Sequence, residues 1–521
     1  MSRKPYLTKS TFVSAIKCEK WLWKNFYNQP ETNPPPVGSP ANMGSRIGKL
    51  AHQLFPNGIE ITEAPWEHVH AVKRTQELMS DESVPAIFEA TFEYEGVRVR
   101  IDILERLSDH TWRICEVKSA ASIREKNGNL KEHYARDVQV QEYVVRGQTG
   151  SEVSSIQLVF INRDYNGSAG TINVSDYFER EEVKREPMDT RPSSKKEIDK
   201  YLAILNQADE PESEPSKSKC TKLGSSMCPF WGHCTVDKPN DWVEVLFSPR
   251  KGQLQELKDT GKDSILKLDI EDAGSTIQGN IIRAVKEDKD IVSDTLTEDL
   301  SEISLPAIHL DFEYLAGVAL PVYDGMRPFE VIPFQYSAHR LFEDGSFEHV
   351  QEFLAKGDLD PRREFIDHLI GFLSKSNEPI IVWSAERAEI SVLKGLRQLF
   401  PDLETEIDAI IVRIKDLAIT VRDNVILNKM VHKKSLSGGG FFSLKNVAPA
   451  CNEDFSYDTL QGVAHGGQAV EAYVQLVTGE LPEGVTEDEM RNSLLAYCEY
   501  DTLATTLVHK KLIEMGSPSG F

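Results

Sequence analysis

The sequence predicts an α/β protein of two domains joined by a mostly helical segment. Residues 97–104 and 111–118 alternate apolar and polar side chains as strands do, and a helical stretch follows them. A second set of apolar strands begins near residue 308, and a long helix closes the chain. Between the two sets, residues 242–302 are polar and mostly helical in pattern. A chain of 521 residues has room for roughly three to four domains, so one small fold is excluded.

The predicted domain boundaries lie near residues 236 and 304. They give an N-terminal domain of residues 1–236, a helical connector of residues 237–303 and a C-terminal domain of residues 304–521. Inside the first domain, residues 208–219 (ADEPESEPSKSK) combine prolines and acids with no large apolar side chain. Such a composition is typical of a flexible tether.

The charge balance is strongly acidic. Lys and Arg number 59 against 82 Asp and Glu, which gives a formal net charge of −23. This argues against a protein that coats nucleic acid through bulk positive charge, but metal-binding carboxylates and a local basic channel are compatible with it. No segment reaches the roughly 18 apolar residues of a membrane span, and the N-terminus lacks the apolar core of a signal peptide. We therefore expect a soluble, cytoplasmic protein with no membrane partner.

The two predicted strands near residue 109 form a hairpin that carries candidate catalytic groups. If its turn centres near Asp109, Asp102 and Glu116 lie equidistant from the turn and face each other. Lys118 falls on the same face as Glu116, because side chains alternate with period two. Two carboxylates can hold Mg²⁺ or Mn²⁺, and a neighbouring lysine can stabilise charge in phosphodiester hydrolysis. A solvated hairpin face carries the same residue types, so this pattern alone is a weak signal.

The cysteines indicate ligation rather than disulfides. The chain has seven, an odd number, and three of them fall within fifteen residues (CTKLGSSMCPFWGHC). These are Cys220, Cys228 and Cys234, and Cys18 lies near the N-terminus. A zinc site and unligated buried thiols are alternatives, although four-cysteine zinc sites usually consist of two close pairs. The remaining three lie in apolar strand or helix contexts and are expected to be packed: Cys115, Cys451 and Cys498.

The C-terminal domain carries a second set of acids. Asp311 and Glu313 (HLDFEY) lie on the same side of the first strand. Tyr497 and Asp501 are four residues apart, so they share one face of the closing helix. That helix begins at Thr486–Glu489, which fits a capping box.

A third acid is expected after the second buried strand (PIIVWSA). Glu386 and Glu389 are both candidates, and the spacing to the strand favours Glu389. Four acids in this arrangement can hold two metal ions about 4 Å apart, one to activate water and one to stabilise the leaving oxygen.

Residues 5–236 resemble the RecB-like PD-(D/E)xK nucleases that carry an iron–sulfur cluster, a group that includes CRISPR-associated adaptation nucleases and the AddB nuclease domain. The resemblance rests on the Asp and Glu-x-Lys hairpin and on the one-plus-three cysteine layout. It implies a restriction-endonuclease-like fold with a 4Fe–4S cluster on Cys18, Cys220, Cys228 and Cys234. It also implies metal ligands at His52, Asp102 and Glu116, and catalytic roles for Lys118 and Gln141. Gln139 is the alternative to Gln141, because Gln139 and Tyr143 together form a QxxxY motif.

Residues 304–514 resemble DnaQ-like DEDD 3′–5′ exonucleases of the tyrosine subclass, which have a ribonuclease-H-like fold. Uncharacterised bacterial proteins that join a RecB-like nuclease to such an exonuclease share the phrases LDFE, PFQYSAH, SLKNV and YCEYDT. The resemblance implies Mg²⁺ or Mn²⁺ held by Asp311, Glu313, Glu389 and Asp501, with Tyr497 orienting the attacking water. Most relatives have Asp in place of Glu389.

The glycine-rich stretch SGGGFFSLK precedes the SLKNV phrase. We expect a mobile loop near the active site, with Lys433, Lys434 and Lys445 as candidate contacts to a nucleic-acid backbone. A solvated loop without such contacts is an equal alternative.

Together these patterns predict a metal-dependent nuclease with two active sites that acts on DNA, single-stranded or at duplex ends. DNA repair and defence against foreign DNA both suit this pairing, with a helicase or a defence-system protein as a partner. Two alternatives stay open. In the first, the chain is a nucleic-acid-binding adaptor whose nuclease folds have lost their catalytic activity. In the second, it is an exonuclease that acts on RNA.

Overall fold

The computed structural model describes residues 5–28, 38–150, 153–183, 193–220, 227–436, 440–460 and 462–517. It is a mixed α/β protein with several sheets and many helices. The chain folds into two compact units. The first unit comprises Met1–Cys234 and Gly317–Glu330, and the second comprises Thr235–Ala316 and Val331–Phe521.

The first unit is built around a seven-stranded sheet. Its elements in the N-terminal part of the chain are β1 (Leu7–Thr8), α1 (Lys9–Lys17), α2 (Glu19–Tyr27), α3 (Pro40–Ala51), β2 (Ile59–Glu60), α4 (His68–Ser80), β3 (Ala86–Tyr94), β4 (Val97–Arg106), β5 (Trp112–Lys118), α5 (Glu132–Thr149), β6 (Val153–Ile161), α6 (Val174–Tyr177), β7 (Phe178–Glu182), α7 (Ser193–Leu205), α8 (Lys217–Cys220) and α9 (Trp231–Cys234). The strand order is β2-β3-β4-β5-β6-β7, and β1 pairs with β4.

The hairpin predicted near residue 109 is present. β4 and β5 pair antiparallel, with Ile103 opposite Cys115 and Glu105 opposite Arg113. One step further along this register places Asp102 opposite Glu116, as the alternation predicts. The apolar partners of this hairpin, including Ile101 and Ile114, are fully buried in the core of the first unit. The two lie on opposite faces of the hairpin, so both of its faces are buried and the acids of one face lie among apolar side chains.

The segment predicted to be a flexible tether, residues 208–219, packs against other parts of the first unit. It has no helix or strand before Lys217, but its Glu210 accepts hydrogen bonds from Lys24 at 3.1 Å and from His233. Lys20 forms a further ion pair with Glu210 at 2.9 Å. The composition predicted the lack of regular structure, whereas these ion pairs depend on residues far away in the sequence.

A segment of the later chain completes the first unit. Residues 317–330 follow the first strand of the C-terminal half, and they dock on the region between β6 and β7. The Tyr177 hydroxyl donates to the carbonyl of Ala319 at 3.0 Å. Asp324 accepts from the Ser168 hydroxyl at 2.7 Å and from the Ala169 N–H at 2.9 Å.

The second unit begins at Thr235, so the residues predicted as a connector (237–303) belong to it and do not form a third unit. Its elements are α10 (Gln253–Asp259), α11 (Thr276–Glu287), β8 (Ile291–Val292), α12 (Leu296–Ser301), β9 (Ala307–Leu315), β10 (Ile332–Leu341), β11 (Phe347–Leu354), α13 (Arg362–Leu373), β12 (Ile380–Val382), α14 (Glu389–Leu399), α15 (Glu404–Ile411), β13 (Ile414–Asp416), α16 (Leu417–Asn424), β14 (Val425–Ile426), α17 (Leu444–Cys451), α18 (Gly466–Thr478) and α19 (Glu487–Gly516).

The main sheet of the second unit has five strands in the order β11-β10-β9-β12-β13. β9 lies at its centre, antiparallel to β10 and parallel to β12. The helix α19 packs on β9 and β10, and its capping box is present, with Thr486 and Glu489 each bonded to the other's backbone N–H. Phe334 of β10 stacks on Tyr473 of α18 with ring centroids 3.9 Å apart. A central strand and a long helix thus bring distant parts of the sequence together.

No helix in the described ranges combines the length and the apolar character that crossing a membrane requires.

Candidate functional site

Three carboxylates of the second unit converge. Asp311 and Glu313 lie two residues apart on β9 and therefore point to the same side of the strand, and Asp501 lies on the helix that packs there. One ligand atom from each of the three lies within 4.8 Å of the other two. Within the described ranges this is the only such group of three or more His, Cys, Asp or Glu residues. The group could hold a metal ion.

Glu389 lies close enough for its charge to raise the pKa of Asp311 and of Glu313, although its carboxylate is not part of the group of three within 4.8 Å. Glu389 begins α14 and is 1% exposed, and the backbone N–H of Phe312 donates to its carboxylate. Its Oε2 atom is buried and has no hydrogen-bond partner among the described residues. The Glu386 side chain is 73% exposed and lies 3.4 Å from the Lys394 Nζ atom. The structure thus favours Glu389 as the fourth acid.

Burial and mutual repulsion keep protons on this cluster. Burial, followed by the charge of Asp501, raises the pKa of Glu313 to about 8. Burial also raises the pKa of Glu389 to about 8, and the pKa of Asp311 lies well above its usual range for the same reasons. A divalent cation would remove this repulsion, and carboxylate oxygens are the ligands that Mg²⁺ and Mn²⁺ prefer. The donor set and the orphaned Glu389 oxygen both fit such an ion.

Two tyrosines contact Asp501. Tyr497 is 3% exposed and donates its hydroxyl to this carboxylate, as the four-residue spacing allows. The Tyr457 hydroxyl also donates to Asp501 Oδ1, at 2.6 Å. Lys445 Nζ lies 5.0 Å from the ring centroid of Tyr457 and bonds to the Ala464 carbonyl. No local sequence pattern relates Tyr457 to a residue 44 positions away, so the sequence alone did not indicate it.

The surroundings of the cluster differ in part from expectation. Lys433 donates to the carbonyls of Thr235 and Lys238, which is a structural contact rather than an exposed cation for nucleic acid. Asp416 accepts from the backbone N–H groups of Ser384 and Ala385, so it braces the turn before α14. The glycine-rich stretch predicted as a mobile loop lies partly outside the described residues, at positions 437–439.

In the first unit, Glu116 is the centre of a buried polar cluster. It is 1% exposed and accepts from Lys9 at 2.6 Å, Lys118 at 2.8 Å and Gln141 at 2.7 Å. Asp102 accepts from the backbone N–H of Val117 at 2.7 Å. The hairpin and helix α5 therefore bring together Asp102, Glu116, Lys118 and Gln141.

The two carboxylates of this cluster titrate in opposite directions. Burial, with the charge of Glu116, raises the pKa of Asp102. Burial also acts to raise the pKa of Glu116, but the ammonium groups of Lys9 and Lys118 outweigh it and lower that pKa. Glu116 is consequently ionised and bound by two cations, whereas Asp102 forms no ion pair with a side chain among the described residues and feels the same two lysines only at a distance.

Gln141, rather than Gln139, reaches the carboxylates. Gln141 is fully buried, and its Oε1 has no hydrogen-bond partner among the described residues. Gln139 is half-buried and accepts from Arg136 at 3.4 Å. The orphaned amide oxygen beside Glu116 is a donor atom that a metal ion or its water could use.

His52 is less closely tied to this cluster. It follows the last residue of α3, and its ring stacks on Phe88 with centroids 3.9 Å apart. Burial lowers its pKa, and the charges acting on it are those of Glu60 and Lys49. Its ligand atoms do not form a group within 4.8 Å with Asp102 and Glu116. A neutral imidazole is the form that binds metal, but this structure does not bring it into contact with the two acids.

Three members of the first cluster went unrecognised in the sequence. Lys9 begins α1, which follows the strand β1 that pairs with β4. Asp137 lies on α5 and forms an ion pair with Lys118. Glu89 lies on β3 with φ 57°. Burial raises its pKa, on which the charges of Lys9 and Glu116 also act. Only the pairing of distant strands reveals Lys9 and Glu89, so no short motif could have indicated them.

The four predicted cluster cysteines line one pocket, together with Trp21. They are Cys18, Cys220, Cys228 and Cys234, none of which forms a disulfide. Within the described part of the chain, no three of their sulfurs lie within 4.8 Å of one another. Thiolates that share one zinc ion lie about 3.8 Å apart, given a Zn–S bond of about 2.3 Å. The arrangement therefore does not match a single tetrahedral ion.

Backbone N–H groups point at two of these sulfurs. The Trp21 N–H donates to Cys18 at 3.4 Å, and the Phe230 N–H donates to Cys228. Burial raises the pKa of Cys228 to about 11, so the thiol needs a bound metal to ionise near neutral pH. Of the cysteines expected to be packed, Cys115 and Cys498 are fully buried, whereas Cys451 is partly exposed.

Comparisons with known proteins are sparse. Residues 308–436 match a protein-family model described as "Domain of unknown function (DUF2779)", a span that contains all but the first residue of β9, includes Glu389 and ends before α19. No curated protein matches the chain. A solved structure described as "Crystal structure of SSO0001" is 14% identical, and the similarity covers 44% of this chain and 88% of that chain with a TM-score of 0.20. At that TM-score the likeness carries no argument about the fold.

Proposed function

We propose that the chain is a divalent-metal-dependent nuclease that hydrolyses phosphodiester bonds of DNA at two active sites. The observation that carries this proposal is the convergence of Asp311, Glu313 and Asp501, whose ligand atoms lie within 4.8 Å of one another. Buried carboxylates this close repel one another strongly, and a site that holds cations is the simplest reason for a fold to maintain them.

The second unit would act as a DnaQ-like 3′–5′ exonuclease. Mg²⁺ or Mn²⁺ would be held by Asp311, Glu313, Glu389 and Asp501. A bound divalent ion supplies Lewis-acid activation of water and neutralises charge that develops on the leaving oxygen. Tyr497, whose hydroxyl bonds to Asp501, would orient the attacking water, and the partly buried Lys445 would attract the scissile phosphate.

The first unit would act as a RecB-like nuclease of the PD-(D/E)xK type. Asp102 and Glu116 would be metal ligands, with His52 moving toward them or contributing through water. Lys118 would stabilise charge on the phosphate, and the Gln141 oxygen would accept a hydrogen bond from the attacking water. The buried contacts between Lys118, Gln141 and Glu116 support these roles.

A 4Fe–4S cluster on Cys18, Cys220, Cys228 and Cys234 would connect the beginning of the predicted N-terminal domain to its end. Sulfurs spaced more widely than around one zinc ion support a larger inorganic group. N–H groups aimed at Cys18 and Cys228 are the kind of contact that stabilises cluster thiolates. The chain would then serve DNA repair or defence against foreign DNA, beside a helicase or a defence-system protein.

The test is digestion of end-labelled single-stranded DNA, duplex DNA and RNA in Mg²⁺ and in Mn²⁺. We expect Lys118→Ala and Asp311→Asn each to lose a different part of the product ladder, and the double variant to be inactive. Faster digestion of RNA than of matched DNA would reassign the substrate. Binding of DNA without turnover by the unaltered protein would favour an inactive adaptor.

Glu389 and Glu386 provide a matched pair of variants. Glu389→Gln should reduce exonuclease kcat by at least about a hundredfold, because it removes a buried ligand of the cluster. Glu386→Gln should have no effect, since that side chain is exposed and lies outside the cluster. Equal loss in the two variants would contradict the assignment of the fourth acid.

A further inference from the structure

A row of buried polar side chains lies on β10, the strand next to the acids of β9. Gln335, Ser337 and His339 alternate along β10, so they project from the same face of the sheet. None of the three is more than 4% exposed. Apolar side chains usually fill such interior positions, and the proposed chemistry does not use this polar row. Its presence beside the acids therefore requires a physical explanation.

The polar row lies directly beside the carboxylates. In the pairing of β9 with β10, Gln335 is opposite Glu313 and Ser337 is opposite Asp311. Facing residues of antiparallel strands have Cβ atoms about 4.5–5.5 Å apart. The helix α19 packs on both strands. The row and the two acids thus share the face of the sheet that α19 covers.

Every member of the polar row makes a hydrogen bond to α19. Gln335 Nε2 donates to the carbonyl of Leu494 at 2.7 Å. Further along the helix, Thr502 Oγ1 lies 3.1 Å from Ser337 Oγ and 2.8 Å from His339 Nδ1. The helix is therefore tied to β10 at two points that are eight residues apart.

Thr502 is the centre of the second contact. It is fully buried and directly follows Asp501 on α19. Its hydroxyl donates to the carbonyl of Glu499 in its own helix at 2.9 Å. A hydroxyl donates one hydrogen and can accept two. The assignment that satisfies these partners has the same hydroxyl accept from Ser337 and from His339.

The polar row carries no charge. Burial, followed by the charge of His349, lowers the pKa of His339 to about 4, so this imidazole is neutral near pH 7. The other members of the row are an amide and a hydroxyl. A fixed cation here would compete with divalent ions for the acids, whereas neutral hydrogen bonds hold the helix and leave the charge of the carboxylate cluster unchanged.

Hydrogen bonds in the interior restrict the position of a helix more strongly than apolar packing does. Apolar contacts are non-directional, so a helix can find similar packing in a neighbouring register. A shift of one helical turn moves a side chain by about 5.4 Å. That exceeds the 4.8 Å within which the three ligand atoms lie. Any such shift would leave the polar row without partners in a buried place, which is costly.

We propose that the polar row of β10 sets the register of α19, with Thr502 as the positioning residue that holds Asp501 at metal-binding distance from Asp311. The inference rests on the proposed exonuclease function and assigns a role to residues that are not metal ligands. Thr502 acts through its neighbour Asp501, because its own hydroxyl is fully engaged with the sheet and the helix.

The test compares Thr502→Val with Thr502→Ser and Thr506→Val. Valine has nearly the shape of threonine and lacks the hydroxyl, whereas serine keeps it. Thr506 is the matched control: it is fully buried one turn further along α19, and among the described residues its hydroxyl bonds only to the carbonyl of Thr502, at 2.9 Å. Every variant also carries Lys118→Ala, so that cleavage by the first unit does not contribute.

Two quantities are measured on the full chain. Mn²⁺ binding is followed by the EPR signal of the free ion, and the binding that Asp311→Asn abolishes is assigned to the second unit. Exonuclease kcat and KM are measured on single-stranded DNA and RNA. Thr502→Val should weaken that Mn²⁺ binding and lower kcat by about tenfold or more, with KM within about twofold, as is usual when a partner of a metal ligand is lost. Thr502→Ser should recover most of both, and Thr506→Val should resemble the reference protein.

The outcomes separate the inference from the proposed function. If Thr502→Val binds Mn²⁺ and cuts like the reference protein, or if Thr506→Val loses as much, the polar row does not position Asp501 and the exonuclease assignment stands. If circular dichroism shows that Thr502→Val does not fold, Ser337→Ala, which removes the sheet side of the same bond, decides by the same criteria. If the reference protein has no Mn²⁺ binding that depends on Asp311 and cuts neither polymer, the proposed function fails and this inference fails with it.

Discussion

Glu313→Gln is expected to stabilise the metal-free protein while it abolishes cleavage by the second unit. Burial and the charge of Asp501 raise the pKa of Glu313 from 4.5 to about 8 in the folded chain. The unfolded chain ionises this group at its ordinary pKa, so it releases the proton first as pH rises. The stability contributed by the group is therefore complete below pH 4.5 and is lost as pH rises through 8.

The magnitude follows from the pKa difference. At pH 7, which lies 7 − 4.5 = 2.5 pH units above the ordinary pKa of Glu, the folded chain still binds a proton that the unfolded chain has released. This difference lowers the free energy of unfolding by about 3 kcal/mol relative to a neutral side chain. Glutamine has nearly the same shape and carries no charge, so the substitution removes this cost. Several degrees of increase in Tm are expected, because each kcal/mol shifts Tm by about 2–4 °C in proteins of 150–250 residues.

The assay is thermal or urea unfolding in EDTA at pH 5 and pH 8, with Glu386→Gln as the exposed-acid control. The gain from Glu313→Gln should be small at pH 5 and large at pH 8. Added Mg²⁺ should raise the Tm of the unaltered protein and have less effect on the variant. If Glu313→Gln lowers the midpoint at pH 8 in EDTA, or stabilises equally at both pH values, repulsion within the cluster is not the cause.

Variants at three further positions probe other parts of the chain. Lys9→Met should lower cleavage by the first unit at least about tenfold and leave the exonuclease products unchanged, because Glu116 loses one of its two cations. Lys9→Arg keeps the charge and should retain more activity. Equal loss of activity in both variants would argue against a role for the charge. Cys228→Ser should lose iron, inorganic sulfide and brown colour together, as measured by elemental analysis and absorbance, and a folded brown variant would exclude this residue as a ligand. His509 is 1% exposed, and burial lowers its pKa to about 4, so stability should fall as pH drops from about 6.5 to 4. In urea unfolding, His509→Gln should reduce the loss of unfolding free energy between pH 6.5 and 4 by up to about 3 kcal/mol. If the variant loses as much stability as the unaltered protein over that range, other groups cause the acid sensitivity.

Local periodicity explains what could be predicted from the sequence. Alternation on β4 and β5 gave the facing positions of Asp102 and Glu116, and the four-residue spacing on α19 gave Tyr497 and Asp501. These relations hold within one element or one hairpin, where geometry follows directly from residue spacing.

The residues that were missed are held by long-range contacts. Lys9 reaches Glu116 across 107 positions, and Tyr457 reaches Asp501 across 44. Their positions depend on how strands and helices pack, and a lysine or tyrosine in such segments otherwise resembles any surface residue. The choice of Glu389 over Glu386 is different, because spacing in the sequence favoured it and the structure adds that Glu389 is buried and Glu386 exposed.

The docking of residues 317–330 makes each unit discontinuous along the chain. A fragment of residues 1–236 would leave the Tyr177 hydroxyl without the Ala319 carbonyl, and it would expose the surface that Met326, itself fully buried, covers. Neither unit can be obtained intact by shortening the polypeptide from one end.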